Sequence, residues 1–437
     1  MPTFDRLSRR GFSGLSLAAL AACAHGGAAA SDEFILHGGP IYTGRAGLAP
    51  VEAVRVRDGR FVAVGALADV RSAGVRMIDL GGAAALPGLV DAHCHLTGVG
   101  MAALILDLVG TPSIAAMLES LRTYAAAHPQ GPIIGRGWIE THWPERRFPT
   151  AADLDAVVRD RPVYLQRIDG HAGVANTAAL ALAGITNSTS SPEGGRIERD
   201  ASGAATGMLI DNAKSLVESR LPPPTEAMRR EALAQAVRLY ASRGWIGAAN
   251  MSSTLEELQF FSELESQHAL PIQVSLYLQP EDAVRYFDGS QRAAADRVRV
   301  KGVKLYADGA LGSRGAALLA PYSDAHSDGL LVTQPDALRA AMARAKQYGY
   351  QVATHAIGDR GNRITLDAYQ STFASDPAAL RAGRWRVEHA QILSPPDIPR
   401  FGQMGVIASM QASHAISDLY FAPARLGPDR LAGAYAW

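Results

Sequence analysis

The ten residues from Leu86 to His95 read LPGLVDAHCH, and the interpretation of the whole chain starts from them. Their short apolar run, which follows Pro87-Gly88, is typical of a buried parallel strand. Side chains at positions i and i+2 of a strand point to the same face, so His93 and His95 project together and Cys94 points away. Two adjacent imidazoles at a strand end can both offer a lone pair to one metal ion. Histidines that simply cap a strand are the alternative, and H-x-H alone does not decide between the two.

The composition indicates a large chain with balanced charge. Its 437 residues suffice for two domains, or for one large domain with insertions. Lys and Arg number 42 against 42 Asp and Glu, with no basic stripe or acidic block, so we expect no nucleic-acid partner. The two cysteines, Cys23 and Cys94, do not predict a disulfide framework.

Residues 1–31 have the pattern of an export signal. Ser8-Arg9-Arg10-Gly11-Phe12 resembles a twin-arginine motif, and the apolar core after it is too short to span a bilayer as a helix. Leu20–Cys23 resembles a lipobox, in which a lipidated Cys23 would attach the protein to a membrane, and Ala28–Ala30 offers an alternative cleavage site. We therefore expect an exported protein, either periplasmic or anchored as a lipoprotein. A disordered tail is the alternative.

The remainder of the chain is expected to have two parts. Residues 32–84 contain short strand patterns and the hairpin signal Asp58-Gly59, and we interpret them as a small β-sandwich unit. Residues 85–437 alternate strand and helix patterns, which predicts a parallel sheet. The pattern is mixed at about residues 100–240, where we predict an inserted α+β region after the first strand.

The alternating part predicts seven strands, which begin near Leu86, Trp245, Ile272, Arg299, Gln351, Arg386 and Val406. A closed parallel barrel needs eight strands. The expected fold class is therefore α/β, a TIM-type (β/α)8 barrel that is incomplete at strand 8. The C-terminal strand ends form the reaction face of such a barrel. Polar residues lie at or just past those ends, namely His93, His95, Lys304, His355, His389 and His414.

Six motifs make the chain resemble a known family. In order they are PGLVDAHCH, DGHAGVANTAAL, GVKLYADGALGSRGAAL, THAIGD, VEHAQ and SMQASHAISD. Together they resemble the amidohydrolase superfamily, and most closely its amidohydrolase-3 branch, which includes N-substituted formamide deformylase. The combination of PGLVDAHCH with downstream THAIGD and VEHAQ is specific, and the resemblance covers nearly the whole chain from about Phe34.

The resemblance implies a metal-dependent hydrolase. It would act on non-peptide carbon–nitrogen bonds of a small amide, N-acyl or formamide substrate, through a metal-bound hydroxide. The resemblance implies that His93 and His95 hold one divalent ion and that His355 and His389 hold a second. A single ion is the alternative. Zinc is the expected metal, with manganese, iron and nickel left open.

The resemblance also implies that Lys304 bridges the two ions as a carboxylated lysine, because a free ammonium has no lone pair to donate. Lys301 is a competing candidate for this bridge. Lys304 is preferred because it matches the family motif before Asp308-Gly309. An ordinary salt-bridging lysine is the alternative for Lys304.

Further residues in or near the motifs are candidates for supporting roles. The expected substrate contacts are His171, Asp308, Arg314 and His414, and Asp359 is expected to orient a metal ligand. The alternatives are a turn position for His171, a solvent contact for Arg314, a loop position for His414 and a helix N-cap for Asp359. Trp138, Trp143 and Tyr306 are expected either in an apolar pocket wall or in the core.

The family places a catalytic aspartate, in a Ser-Asp context, at the end of the eighth strand. No segment after the seventh predicted strand matches it, so we expect a C-terminally truncated copy without that catalytic residue. Loss of a general acid–base group lowers the reaction rate by about 10²- to 10⁴-fold. The alternative function is therefore an impaired amidohydrolase-like protein that keeps only metal or ligand binding. A homo-oligomer is compatible with the sequence.

Overall fold

A computed structural model gives the fold for residues 33–434, except 141–142, 169, 171, 193–194, 290–295 and 313. The chain divides into two compact units, one up to Gly88 and one from Leu89 onward. The predicted export signal and Cys23 lie outside the described residues, so export and lipidation stay predictions. No helix in the described part of the chain has both the length and the apolar character needed to cross a membrane.

The unit up to Gly88 contains one four-stranded sheet. Its elements are β1 (Glu33–His37), β2 (Ala53–Arg57), β3 (Arg60–Gly65), α1 (Leu67–Val70) and β4 (Arg76–Asp79). The strand order is β3-β2-β1-β4, and β4 lies parallel to β1. Asp58 and Gly59 both have positive φ at the β2–β3 turn, which confirms the predicted hairpin. The second sheet that a sandwich requires is not found among residues 33–88.

The unit from Leu89 begins with β5 (Leu89–Cys94) and α2 (Leu96–Leu104) and continues into an inserted sheet. The strands of this insertion are β6 (Leu106–Asp107), β7 (Ile133–Trp138), β8 (Val163–Arg167), β9 (Ala172–Ala175), β10 (Gly195–Arg199) and β11 (Ala205–Asp211). Its helices are α3 (Ile114–Ala127), α4 (Ala151–Asp155), α5 (Thr177–Leu182) and α6 (Ser215–Glu218). The strand order is β10-β11-β9-β8-β7-β6, with parallel pairing from β6 to β8 and antiparallel pairing elsewhere. Trp138 and Trp143 are both buried in the core of the insertion.

After α7 (Glu226–Ser242), strands and helices alternate. They are β12 (Trp245–Ser253), α8 (Leu255–Ser266), β13 (Gln273–Leu278), α9 (Pro280–Asp288), β14 (Val298–Tyr306), α10 (Pro335–Gln347), β15 (Gln351–Ala356), α11 (Asp359–Thr372), α12 (Pro377–Gly383), β16 (Arg386–His389), α13 (Ile398–Met404), β17 (Ile407–Ser409), α14 (His414–Ser417) and α15 (Ala422–Ala434). Within the described residues, the order β17-β16-β15-β14-β13-β12-β5 forms one all-parallel, nearly closed barrel. Its seven strands lie where the sequence predicted them.

Local sequence explains where several helices begin. The hydroxyl oxygens of Thr225 and Thr254 cap α7 and α8 by accepting hydrogen bonds from backbone N–H groups of the first turn. Proline occupies the first turn of α9, α10 and α12, where its missing N–H costs no helical hydrogen bond. Helix α7 buries an apolar face that includes Leu233, Val237 and Tyr240.

The first barrel strand differs from its prediction in one respect. Leu89 and Val90 are 59% and 56% exposed, so the expectation of a buried strand is wrong for this half of β5. In the part of the chain that the structure describes, β5 pairs with β12 alone, and an apolar run does not reveal whether both edges of a strand are paired. Cys94 is buried, with its Sγ 3.5 Å from the Ala249 carbonyl oxygen.

Asn250 in β12 fixes the chain directly after His95. Its side chain is buried, and its Oδ1 accepts a hydrogen bond from the Leu96 N–H at 2.7 Å. Its Nδ2 lies 2.9 Å from both Ser253 Oγ and Glu257 Oε2. Because Leu96 begins α2, this amide ties the junction of β5 and α2 to the second barrel strand.

We expect Asn250→Ala to lower the free energy of unfolding by about 1–3 kcal/mol, because it leaves buried partners without hydrogen bonds. Denaturant unfolding of the purified protein measures this change. Asn187 is exposed, and Asn187→Ala serves as a control that should change the same free energy by no more than about 0.5 kcal/mol. Equal stability of the two variants would contradict the role assigned to Asn250.

Candidate metal centre

Four histidines come together at the C-terminal rim of the barrel. His93 lies in β5 and His95 directly after it, whereas His355 lies in β15 and His389 ends β16. The ring centroids are 5.5 Å apart for His93 and His95, 5.0 Å for His93 and His389, and 4.5 Å for His355 and His389. Parallel strands carry their C-terminal ends to the same rim, which is why residues so distant in sequence meet here.

Lys304 lies on β14 at the same rim, and its side chain is only 1% exposed. Its Nζ is 5.3 Å from the ring centroid of Tyr306, which stands opposite His355 in the strand register. Among the described residues, this amine has no hydrogen bond and no ion pair. Burial lowers the pKa of Lys304 to about 8. Lys301, the competing candidate for the bridge, is exposed.

His93 and His95 each use one ring nitrogen for a protein contact. The Nδ1 of His93 donates to Glu388 Oε2 at 2.5 Å, and the Nδ1 of His95 donates to the Met251 carbonyl oxygen at 3.1 Å. A carboxylate and a carbonyl can only accept, so Nδ1 carries the proton in both rings. The Nε2 of each ring therefore keeps a lone pair for a metal ion.

His389 and His355 also use one ring nitrogen each for a protein contact, but not the same one. The Nδ1 of His389 lies 2.5 Å from Gln411 Oε1, which leaves Nε2 as the donor atom. In His355 it is Nε2 that faces a carbonyl oxygen, that of Gly309 at 3.4 Å, which leaves Nδ1. All four histidines thus retain one ring nitrogen with a lone pair.

Burial favours the neutral form of His95, His355 and His389. It lowers the pKa of His95, that of His389 and, to about 4, that of His355, and the nearby charge of Lys304 lowers all three further. Only a neutral imidazole can bind a metal ion. The environment therefore supplies these three histidines in the protonation state that a ligand requires.

The side chains at the rim carry donor atoms that suit divalent ions, but they do not form a complete set of ligands around one point. Within the described ranges, no three His, Cys, Asp or Glu side chains already have the spacing of a metal site. The histidines are neighbours pair by pair, each pair offers two lone-pair nitrogens, and Lys304 adds a buried amine with no hydrogen bond or ion pair to the residues described. The donor chemistry of these residues fits one or two divalent ions.

The backbone at the end of β16 departs from the extended conformation. His389 has φ +72° and Ala390 has φ +41°, which costs a non-glycine residue about 1–3 kcal/mol. A regular strand would turn Glu388 and His389 to opposite faces. The left-handed turn ends this alternation, so that Glu388 and His389 both reach His93.

Asp308, an expected substrate contact, is buried in the loop after β14. Its carboxylate accepts hydrogen bonds from the backbone N–H groups of Ala317 at 2.9 Å, Ile357 at 2.9 Å and Gly358 at 2.8 Å. Burial raises the pKa of Asp308 to about 7, although these amides act in the opposite direction. In this arrangement Asp308 joins two loops of the rim and presents no exposed oxygen to a substrate.

Arg314 and Asp359 both bind residues of the loop between β14 and α10. The Arg314 guanidinium meets the Asp324 carboxylate through two contacts, of 3.1 and 3.0 Å. Asp359 begins α11, and its Oδ1 accepts a hydrogen bond from the Leu319 N–H at 2.8 Å. Each contact stabilises the loop, and no described contact joins Asp359 to a histidine of the rim.

Two of the expected substrate contacts in the described residues, Asp308 and His414, lie beside the rim histidines, and Asp308 Oδ1 is 3.7 Å from His355 Nε2. His414 begins α14, and its ring centroid lies 5.5 Å from that of His389. Tyr306 also joins the rim, with its ring centroid 5.5 Å from that of His355 and its hydroxyl hydrogen-bonded to Ser252. His171 lies outside the described residues.

Sequence reasoning missed two partners of the histidines, Glu388 and Gln411. For Glu388 a signal existed, because Arg386 and Glu388 are opposite charges two residues apart in a predicted strand of the parallel sheet. Two such side chains point to the same face of the strand and are expected to form an ion pair. Gln411 lies 22 positions from His389, and nothing in the local sequence indicates this contact.

Comparisons with known proteins agree with this site. The amidohydrolase family matches residues 76–437. YtcJ of Bacillus subtilis (strain 168), which is named as an amidohydrolase, is 33% identical over 92% of this chain and 77% of its own length. N-substituted formamide deformylase of Arthrobacter pascens is 27% identical over 81% of this chain and 68% of its own length.

Two solved structures of similar fold are described as metal-dependent hydrolases. An uncharacterized metal-dependent hydrolase from Pyrococcus horikoshii OT3 has a TM-score of 0.72 and 28% identity, over 92% of this chain and 79% of that one. A second, from Pyrococcus furiosus, has a TM-score of 0.71 and 29% identity, over 92% of this chain and 82% of that one. The resemblance expected from the six motifs is confirmed, and the chain belongs to the amidohydrolase family.

Proposed function

We propose that this protein is a metal-dependent hydrolase that acts on non-peptide carbon–nitrogen bonds of amide, N-acyl or formamide substrates. The observation that carries the proposal is the meeting of four histidines, each with one free ring nitrogen, around the buried Lys304. Membership of the amidohydrolase family and metal-dependent neighbours support a hydrolase that uses divalent metal. The relative N-substituted formamide deformylase supports the choice of bond.

The chain would hold two divalent ions, with zinc as the expected metal because nitrogen and oxygen ligands suit it. His93 and His95 would bind one ion through Nε2, and His355 and His389 would bind the other through Nδ1 and Nε2. Lys304 would join both after carbon dioxide converts its amine into a carbamate, whose oxygens are anionic donors. When bound, such ions polarise a carbonyl group and lower the pKa of a water molecule to near neutrality.

The residues around the histidines would shape the substrate space. Tyr306 stands beside His355 and His414 stands beside His389, so these two side chains flank the candidate centre. Ser252 orients the Tyr306 hydroxyl by a hydrogen bond. An aromatic ring and a neutral imidazole suit a small uncharged amide better than a strongly charged substrate.

A second candidate function, metal binding without turnover, is favoured by one observation. The two buried carboxylates next to the histidines are already engaged, Glu388 by Arg386 and His93, and Asp308 by three backbone amides. Neither is therefore placed to move a proton between water and a leaving amine. Turnover by the metal-loaded chain decides between the two functions.

Two further parts of the proposal concern the setting of the site. We propose that the seven strands belong to a (β/α)8-type barrel. We also propose export of the protein through the twin-arginine-like segment at residues 1–31, with release at Ala28–Ala30 or anchoring through Cys23.

Elemental analysis after loading with zinc and desalting should find one or two ions per chain. His93→Ala and His355→Ala should each lose bound zinc, because each removes a ligand nitrogen. His326 is an exposed loop histidine, and His326→Ala should retain the wild-type metal content. Unchanged metal content in both His93→Ala and His355→Ala would refute the ligand assignment.

The zinc-loaded protein should also hydrolyse members of a panel of formamides, N-acyl amines and cyclic amides. Removal of zinc by a chelator should abolish the hydrolysis, and added zinc should restore it. Zinc retention without turnover of any member would favour binding alone.

Lys304→Ala should lose hydrolysis and regain part of it with added acetate or propionate, because a small carboxylate can supply the bridging oxygens. Lys301→Ala is the matched control and should keep its activity without any acid. Full activity of Lys304→Ala in the absence of acid would rule out the bridging role.

Lys304→Met should stabilise the metal-free protein at pH 7 by about 3 kcal/mol, because burial lowers the pKa of Lys304 from 10.5 to about 8. The Lys304 amine binds its proton more tightly in the unfolded chain than in the folded protein. Wild-type stability should therefore rise between pH 8 and 10.5, and the difference in stability between Lys304→Met and the wild type should disappear. Denaturant unfolding at pH 7 and pH 10 measures it, with exposed Lys301→Met as the control. A variant less stable than wild type at pH 7 would contradict this account of Lys304.

A further inference from the structure

A buried ion pair lies inside the barrel next to the candidate metal centre. Arg386 and Glu388 are two residues apart on β16 and therefore face the same side. Glu388 is 0% exposed and Arg386 is 9% exposed. The guanidinium meets the carboxylate through two contacts, Nε to Oε1 at 2.6 Å and Nη2 to Oε2 at 2.9 Å. These two contacts form a bidentate pair with fixed geometry.

The Arg386 end of this pair reaches both edge strands of the described barrel. Its Nη2 lies 2.8 Å from the Ala92 carbonyl oxygen on β5 and 2.8 Å from Ser409 Oγ on β17. These two strands stand at opposite ends of the strand order and do not pair with each other there. Arg386 also lies 5.3 Å from the ring centroid of Tyr277 on β13. The guanidinium is thus fixed by groups from several strands.

The Glu388 end of the pair contacts His93. Glu388 Oε2, the oxygen that Arg386 Nη2 also contacts, accepts from His93 Nδ1 at 2.5 Å. A carboxylate at Nδ1 fixes the tautomer of an imidazole and the orientation of its ring. Arg386, Glu388 and His93 therefore form one continuous chain of charge-assisted hydrogen bonds.

Stability alone does not explain a pair of this kind. Burial of two charges carries a desolvation cost, and apolar residues of similar volume often stabilise a core equally well or better. We propose that Arg386 and Glu388 are positioning residues that hold the Nε2 of His93 toward the ion and so set the metal affinity of the site. This inference rests on the proposed function, because it requires His93 to be a metal ligand.

The test measures zinc affinity by competition with a chromophoric chelator. Glu388→Gln is expected to weaken zinc binding about 10- to 100-fold, because a neutral amide has one acceptor oxygen in place of the two that Arg386 and His93 share. The control is Asp397→Asn, which removes another buried carboxylate that pairs with an arginine, Arg363 at 3.0 Å. Asp397→Asn is expected to keep the wild-type zinc affinity.

A double variant separates positioning from a structural role. Arg386→Met with Glu388→Leu replaces the ion pair by apolar side chains, and we expect it to fold with stability close to that of the wild type. If the pair positions His93, this folded protein still binds zinc about 10- to 100-fold more weakly, and its cobalt complex has an altered visible spectrum. If the pair only supports the core, zinc affinity and spectrum are those of the wild type.

A measurement on the wild type covers the case in which the variants do not fold. The ¹⁵N chemical shifts of His93 in the metal-free protein are expected to place the ring proton on Nδ1. A proton on Nε2 overturns the inference.

The remaining outcomes are distinct. Wild-type zinc affinity in the folded variants overturns the positioning role and leaves the proposed function intact. An equal loss of zinc affinity in Asp397→Asn also overturns the positioning role, since the loss would then follow from a general change in packing. A wild-type protein that retains no zinc overturns the proposed function, and with it this inference.

Discussion

Parallel strands deliver their C-terminal ends to one rim, and the candidate site depends on this constraint. His93 and Glu388 are 295 positions apart in the sequence, yet they share a hydrogen bond because β5 and β16 run in the same direction in one barrel. The same arrangement brings His355 and Lys304 to the rim on β15 and β14. The chemistry of the site is therefore a property of the barrel rather than of any one segment.

Charge burial at this rim is compensated for Arg386 and Glu388 but not for Lys304. Glu388 and Arg386 compensate each other, and His93 adds a further hydrogen bond. Lys304 has no such partner among the described residues, and its amine is destabilised as an ammonium by burial. A carbamate bound to divalent ions would remove that cost. Burial thus favours the neutral form of this amine.

Local patterns predicted much of this fold, and long-range pairing accounts for most of what they missed. The strand alternation correctly separated Cys94 from His93, and the alternating strand and helix patterns placed all seven barrel strands. The apolar run of β5 could not show that Leu89 and Val90 would be exposed, because strand pairing is not visible in one segment. Likewise, Asp308 stands in a family motif, but its partners are backbone amides of its own loop and of the loop after β15, which no side-chain pattern reveals.

X-ray absorption at the zinc edge of the zinc-loaded protein tests the central claim most directly. Coordination by the rim histidines predicts a first shell of nitrogen and oxygen at about 2.0–2.1 Å, with the outer-shell scattering of imidazole rings. Cys94 points away from the rim and should contribute no sulfur. A sulfur ligand at about 2.3 Å, or an oxygen shell without imidazole scattering, would contradict the assignment of the metal centre to these histidines.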